Sequence, residues 1–346
     1  MGYDFDTIVI GAGTGGLSAG ASLKKAGSNY IIIEKKQEIG LPVRSTGAVS
    51  LEWVNRIGMP KEKKIISSEI FGMDFRTFNG NHIPLKFDKP VGLVYDFTKY
   101  EKYLADEFAG KLNIRMNERV LKVQGNEVTT DKEKITAKNL IMAAGPQSNL
   151  GPKLGKTEAL VAYEETRELP KRDDFQMILW FSNLAPGGYF WDFAESDNTR
   201  KIGVCYYPIE PSQPKNVLEK FTEKFPEVQG KMLHNMAHQI PLTAPLEKVV
   251  DGNRLMVGDM VNAVLNTTAG GLQGAFWSGK AAGEAASLDD PDIYQRTWSE
   301  SIYPWLKKHN DLHSKIHKKG EKSVSRYITL AKIMPKSVKK KIFGGL

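Results

Sequence analysis

The sequence predicts an α/β protein: a parallel-sheet nucleotide-binding domain, interrupted by a mostly antiparallel β domain and followed by a helical C-terminal region. Three observations carry this. The chain opens with an apolar run, a glycine turn and a small-residue helix, "FDTIVIGAGTGGLSAGASLKKAG". Far downstream a second apolar run ends in Gly-Asp and leads to a glycine pair and another small-residue helix, "NRLMVGDMVNAVLNTTAGGLQGAFWSGKAAGEAA". Between them lie short β-rich segments separated by turn residues.

In the first segment Gly11, Gly13 and Gly16 make G-x-G-x-x-G between an expected strand and an expected helix that ends near Gly27. One glycine serves the tight turn, one the close approach of a pyrophosphate and one helix–strand contact, as in a Rossmann-like unit. The helix N-terminus offers free N–H groups and a positive dipole end to phosphate. The next strand, "NYIIIE", ends at Glu34, whose carboxylate can accept from both ribose hydroxyls of an adenosine.

After Glu34 the strand–helix alternation breaks, unlike the compact run of a nicotinamide enzyme. The downstream segment supplies the rest. An apolar strand ends at Gly258-Asp259, and Gly270-Gly271 open a helix to about Ala286. Asp259 can hold a polyol hydroxyl, and the glycine-led helix can aim N–H groups at a negatively charged ring edge. Those are the needs of a ribityl chain and an isoalloxazine, so the expected dinucleotide is FAD. The competing reading is an unrelated βα unit.

The middle of the chain reads as follows. "SSEIFGMDFRTFNGNHIPLKF" predicts a hairpin with a two-residue turn at Asn79-Gly80, and "TKYEKYLADEFAG" a helix closing at Gly110. "FQMILWFSNLAPGGYFWDFAE" and "TRKIGVCYYPIEP" predict antiparallel strands, and "NVLEKFTEKF" a helix ending before Pro226. Side chains alternate across a strand, so Tyr189, Trp191 and Phe193 share one face while Phe190 and Asp192 share the other. That aromatic strip suits core packing or the floor of a pocket for a flat or apolar ligand. The expected organisation is an FAD-binding domain of residues 1–68, 92–155 and 242–290, a β domain of 69–91 and 156–241, and a helical basic region, 291–346.

The 346 residues are 41% hydrophobic and 10% aromatic, enough for one large core or two smaller ones. A single cysteine, Cys205, excludes an intrachain disulfide and fits a reducing compartment, with the thiol read as a small buried hydrophobe. The N-terminus carries acidic residues where a signal peptide would be basic, and no stretch is long and apolar enough to span a bilayer. The expected location is cytoplasmic, with peripheral attachment to the inner membrane face an option. Of the net charge of +8, residues 305–346 hold twelve Lys/Arg against Asp311 and Glu321, leaving −2 on residues 1–304. A cationic end on a nearly neutral body suits an anionic lipid surface or a solvated lysine-rich terminus; a nucleic-acid arm is the weaker reading. Ile316, Val324, Tyr327, Ile328 and Ala331 form a rough apolar stripe, and "KSVKKKIFGGL" resembles an interfacial helix. His309, His313 and His317 recur every four residues with no carboxylate on that face, which reads as a helix stripe rather than a metal site.

These residues resemble flavoproteins of the p-hydroxybenzoate-hydroxylase fold, and within them the geranylgeranyl reductase family, over most of residues 1–290. The family's P-x-x-Y-x-W-x-F motif is matched at Pro186, Tyr189, Trp191 and Phe193. The resemblance implies that Gly11, Gly13, Gly16 and Glu34 bind the ADP half of FAD, and that Val120 in "ERVLKV" meets the adenine through its backbone. It also implies that Gly258-Asp259 hold ribityl and pyrophosphate. "PVRSTGAVS" is similar to the flavin-contacting loop, with Arg44 and Ser45 beside the cofactor; Gly145, Gly270 and Gly271 complete the implied cofactor contacts. Four positions depart from the pattern: Ser45 stands where a cysteine is frequent, Ala144 where Asp is, Phe97 where Arg is, and "NTTAGG" lacks the usual proline.

The implied activity is reduction of C=C bonds in polyprenyl lipid chains, with the Pro186–Phe193 motif lining a tunnel beside the flavin. Electrons would come from NAD(P)H or reduced ferredoxin. Alkene reduction needs a hydride at one carbon and a proton at the other; Tyr189 is the nearest candidate acid by residue type. The alternatives are a flavin monooxygenase acting on an apolar substrate and a non-catalytic, flavin-bearing lipid-binding protein.

Overall fold

The structure is a computed structural model that describes residues 2–146, 148–151, 159–208, 213–317, 320–335 and 338. Its first sheet runs in the order Val250–Asp251, Arg254–Met256, Lys134–Met142, Phe5–Ile10, Tyr30–Ile33, Ile114–Arg115, parallel from Arg254–Met256 onward. The hairpin Val120–Gln124 and Glu127–Thr130 extends from the long third strand. Ile8, Val9, Ile32 and Leu140 are buried, as a parallel sheet covered on both faces requires.

Two helices cross against each other on this sheet. Thr14–Ala26 ends as the sequence predicts, with Gly27 in the left-handed region at φ 71°, and Leu272–Ser287 follows the glycine pair. Their backbones nearly touch: a Cβ at Gly279 would lie 2.0 Å from the Gly15 carbonyl oxygen. Ser18 Oγ donates to the Phe276 carbonyl at 2.9 Å and Ser22 Oγ to that of Lys280 at 3.0 Å. Small residues on both helices permit this approach, which is how two widely separated glycine turns come to one place.

The second sheet has the order Lys231–Pro241, Ala159–Glu168, Thr199–Tyr206, Tyr189–Ala194, Met177–Phe181, Gly72–Thr77, His82–Lys86. It is antiparallel except where Met177–Phe181 pairs with Gly72–Thr77, the junction of two separate excursions of the chain. One face packs Phe190 and Trp180 under Phe221 of the helix Pro214–Lys224. The other carries Tyr189, Trp191 and Phe193, the alternation expected from sequence. Asp192 is buried on the far side and binds Arg172 at 3.0 Å and Arg200 at 2.5 Å, a compensated charge and not a site residue. A small antiparallel sheet, Ala48–Ser50, Gly92–Tyr95 and Ile66–Ile70, lies beside the Arg44–Gly47 loop, where Tyr95 N–H donates to the Gly47 carbonyl at 2.9 Å.

Two expectations need correction. The Asn79-Gly80 hairpin has a three-residue loop, not two: Thr77 N–H reaches the Asn81 carbonyl, and Gly80 adopts φ 86° at the left-handed position of such loops. In the tail helix Glu321–Ile333, Val324, Ile328 and Ala331 are buried on the second sheet, but Tyr327 is 41% exposed and leaves the stripe, because i, i+4 and i+7 share a face that i+3 only borders. "KSVKKKIFGGL" lies outside the described residues apart from Val338.

Cys205 is buried as expected, and burial pushes its thiol up to about 12. Native protein at pH 8 is therefore expected to resist iodoacetamide and to be alkylated only after unfolding, as peptide mass analysis would show.

Candidate active site

The glycine turn is shaped by close backbone approaches that leave no room for a side chain. Gly11 has φ 106°, and a Cβ at Gly16 would sit 1.9 Å from the Gly11 carbonyl oxygen. The helix that follows has Gly13 as N-cap, no side-chain cap and no acidic residue in its first turn, so its leading N–H groups and dipole stay available to an anion. Glu34 is drawn to this turn: its carboxylate accepts from Ala12 N–H at 2.7 Å and from Lys36 N–H at 2.9 Å.

A cavity of about 570 Å³ starts here, within the range of cofactor and small-molecule sites. It runs from Gly11, Gly13, Glu34 and Val120 past Arg44, Ser45 and Gly145 to Gly258, Asp259, Gly270 and Gly271, and reaches Tyr189, Trp191 and Phe193. Two of the residues singled out from sequence stand outside its wall. Gly16 is packed inside the helix–turn contact. Pro186 sits in the turn before the strand, where its carbonyl accepts from Tyr207 N–H at 2.9 Å, so it shapes the turn without lining the cavity. A second cavity of about 1060 Å³ adjoins the first, sharing Arg44, His238 and Asp259, and opens between residues 41–44 and the edge strand Lys231–Pro241.

The polar atoms of this wall fit a dinucleotide. Glu101 Oε2, Glu118 Oε1, His238 Nδ1 and Gln273 Oε1 are buried, line the cavity and have no hydrogen-bond partner among the described residues. Each such group costs about 1–3 kcal/mol unless a ligand satisfies it. Burial raises Glu101 to about 7, opposed first by Lys36, and Asp259 to about 6, opposed by Arg44. Burial, helped by Arg44, lowers His238 to about 4, so its imidazole is neutral at pH 7. Asp259 is thus mainly a carboxylate at neutral pH, suited to accept from ribityl hydroxyls. The uncapped helix suits pyrophosphate and the Gly271-led helix a ring edge, so the residues present fit FAD.

Sequence reasoning missed these four orphan groups. Glu101 lies one turn after Phe97 on the same helix face, Glu118 two residues before Val120, and Gln273 just beyond the glycine pair, so their positions carried a signal. His238 carried none, because its edge strand meets Arg44 only in the tertiary structure.

Tyr189 is placed differently from a general acid. Its hydroxyl donates to the Thr268 carbonyl, and burial, then Cys205, push its pKa well above 10. Tyr189→Phe is accordingly expected to retain turnover within about tenfold, and a loss of several orders of magnitude would restore the acid role. Histidines of the helix Tyr303–His317 brace the same region: His309 Nδ1 pairs with Thr267 Oγ1 at 2.7 Å, and His313 Nε2 with the Gly187 carbonyl at 2.8 Å.

Residues 8–165 match the family model described as pyridine nucleotide-disulphide oxidoreductase. Digeranylgeranylglycerophospholipid reductase of Methanothrix thermoacetophila is 28% identical, over 89% of this chain and 86% of the relative. The protein of the same name from Methanocaldococcus jannaschii is 29% identical, over 88% and 85%. The structure superposes on a geranylgeranyl bacteriochlorophyll reductase-like protein from Thermoplasma acidophilum with a TM-score of 0.86 at 21% identity, covering 95% of this chain and 92% of that one. PqsL, a probable FAD-dependent monooxygenase from Pseudomonas aeruginosa, gives a TM-score of 0.73 at 11% identity, over 94% and 99%, a likeness of fold. Similarity to named reductases over most of the chain, with a cavity whose wall fits FAD and ends in the Tyr189–Phe193 strip, marks this chain as an FAD-dependent oxidoreductase similar to the digeranylgeranylglycerophospholipid reductases.

Proposed function

We propose that the protein reduces C=C bonds of polyprenyl chains in lipids. The observation that carries this is the continuity of one cavity, from a wall that fits FAD to Tyr189, Trp191 and Phe193. When bound, FAD supplies the hydride for one alkene carbon. The chain's residues do the rest. The aromatic wall holds the prenyl chain, each buried CH₂ contributing about 0.8 kcal/mol, and excludes water from the reacting bond. The faces of Trp191 and Phe193 favour positive charge developing at the tertiary carbon as the proton arrives. Gly258-Asp259 and the Gly270-Gly271 turn hold and orient the cofactor, while Arg44 keeps Asp259 charged.

The electron donor is NAD(P)H or reduced ferredoxin, and the basic C-terminal region docks on anionic lipid. Among the described residues no helix is long and apolar enough to cross a membrane. Co-sedimentation with phosphatidylglycerol vesicles, lost on truncation after residue 335, is the expected sign of docking. For the reaction itself, the reduced holoprotein is incubated with a geranylgeranyl lipid under argon. A gain of two hydrogens per double bond supports the reading; an oxygenated product formed only in air would transfer it to a monooxygenase.

A further inference from the structure

The motif tryptophan does more than line the cavity. Trp191 pairs in register with Gly203 of the neighbouring strand, which in turn pairs with Glu164 one strand further on. A Cβ at Gly203 would lie 2.2 Å from the indole Cζ2, so the ring lies flat across that strand where only glycine leaves room. Its Nε1–H then donates to Glu164 Oε2 at 2.8 Å. The same oxygen accepts from Thr46 Oγ1 at 2.7 Å, and Lys201 Nζ donates to the Thr46 carbonyl at 2.9 Å. Thr46 belongs to the Arg44–Gly47 loop of the cavity wall. One buried carboxylate oxygen therefore ties the aromatic wall to the loop beside the proposed cofactor site.

From this geometry we infer that Glu164 is a positioning residue: by holding Trp191 and Thr46 on one oxygen, it sets the place of the Arg44–Gly47 loop against bound FAD. A carboxylate suits the task because one buried oxygen can accept two hydrogen bonds at once. Lys201, which also pairs with Glu195 at 3.2 Å, supplies the compensating positive charge. Tyr189, two residues earlier on the same strand, makes the matching tie to the Thr268 carbonyl on the other cofactor loop. The polar atoms of the Tyr-x-Trp pair thus serve the cofactor loops, and their apolar faces serve the cavity. The inference depends on FAD binding there and not on the identity of the lipid.

The test uses holoprotein variants read by FAD affinity and by the visible circular dichroism of the flavin, with no lipid present. Glu164→Leu and Thr46→Val are each expected to weaken FAD about tenfold and to change the flavin dichroism, while Glu164→Gln, which keeps an accepting oxygen, stays within about threefold of wild type. The double variant Glu164→Leu/Thr46→Val is expected to lose no more than the worse single one, since both remove one shared tie. Additive losses, or an unaltered flavin signal in Thr46→Val, overturn the inference. Should Glu164→Leu fail to fold, Thr46→Val and Glu164→Gln decide it alone. Because no lipid enters the measurement, a failed lipid assay leaves the result intact.

Discussion

Replacing Gly16 by alanine is expected to yield protein that folds poorly and carries no FAD, whereas Gly13→Ala is expected to fold normally and still lose the cofactor. The two glycines stand three residues apart in one motif, yet their surroundings differ. At Gly16 a Cβ would be 1.9 Å from the Gly11 carbonyl oxygen, a backbone atom that cannot move without opening the turn. At Gly13 the nearest atom is Glu101 Oε1 at 3.9 Å, and φ of −82° suits any residue. A methyl group there strains nothing in the free protein but occupies space at the helix N-terminus that a pyrophosphate would need. Thermal melts of FAD-free protein should therefore separate the variants, Gly13→Ala matching wild type and Gly16→Ala melting well below it. FAD titration should show both weakened by roughly 100-fold or more. Tight FAD binding by Gly13→Ala would remove the phosphate from that turn.

The second large effect is a pH dependence located at Glu101. This carboxyl is 3% exposed, shares a weak hydrogen bond from Thr14 Oγ1 at 3.3 Å and leaves Oε2 without a partner among the described residues. Burial raises it from 4.5 to about 7. The folded state thus binds this proton more tightly than the unfolded chain. Its contribution to stability is complete below pH 4.5 and is lost as the pH rises towards 7. The shift corresponds to about 3 kcal/mol between those limits. Glu101→Gln keeps an oxygen for Thr14 and removes the charge, so FAD-free protein carrying it should be more stable than wild type at pH 8 by roughly 2–3 kcal/mol and about equal at pH 4.5. Urea unfolding at the two pH values measures this directly. An equal effect at both would mean that packing, and not ionisation, separates the variants. A buried, destabilising carboxylate beside an uncapped helix N-terminus has the character of a ligand contact.

Much of this protein is local in origin. The first strand, its glycine turn, the helix ending at Gly27 and the acid at Glu34 are specified by neighbouring residues, and so is the alternation at Tyr189–Ala194, because a strand's period of two needs no tertiary information. The turn at Asn79-Gly80 was legible in kind but not in length, since the loop is set by where Thr77 and Asn81 pair, a property of two strands together. The apolar stripe of the tail helix was legible except at Tyr327, whose fate depends on how the helix rolls against the second sheet.

What the sequence determined by itself was the presence of two strand–glycine–helix segments, one aromatic face and a charge division between body and tail, all of which follow from periodicity, glycine placement and composition. What only the tertiary structure decided was how they meet. Helices Thr14–Ala26 and Leu272–Ser287 bring the two glycine turns to one cavity, Glu164 reaches Trp191 across a glycine on the intervening strand, and Tyr189 spends its proton on a carbonyl of another loop. Hydrogen bonds and burial between residues far apart in the chain set these pairings, and a charge or hydroxyl acquires its role only from the atoms that close around it.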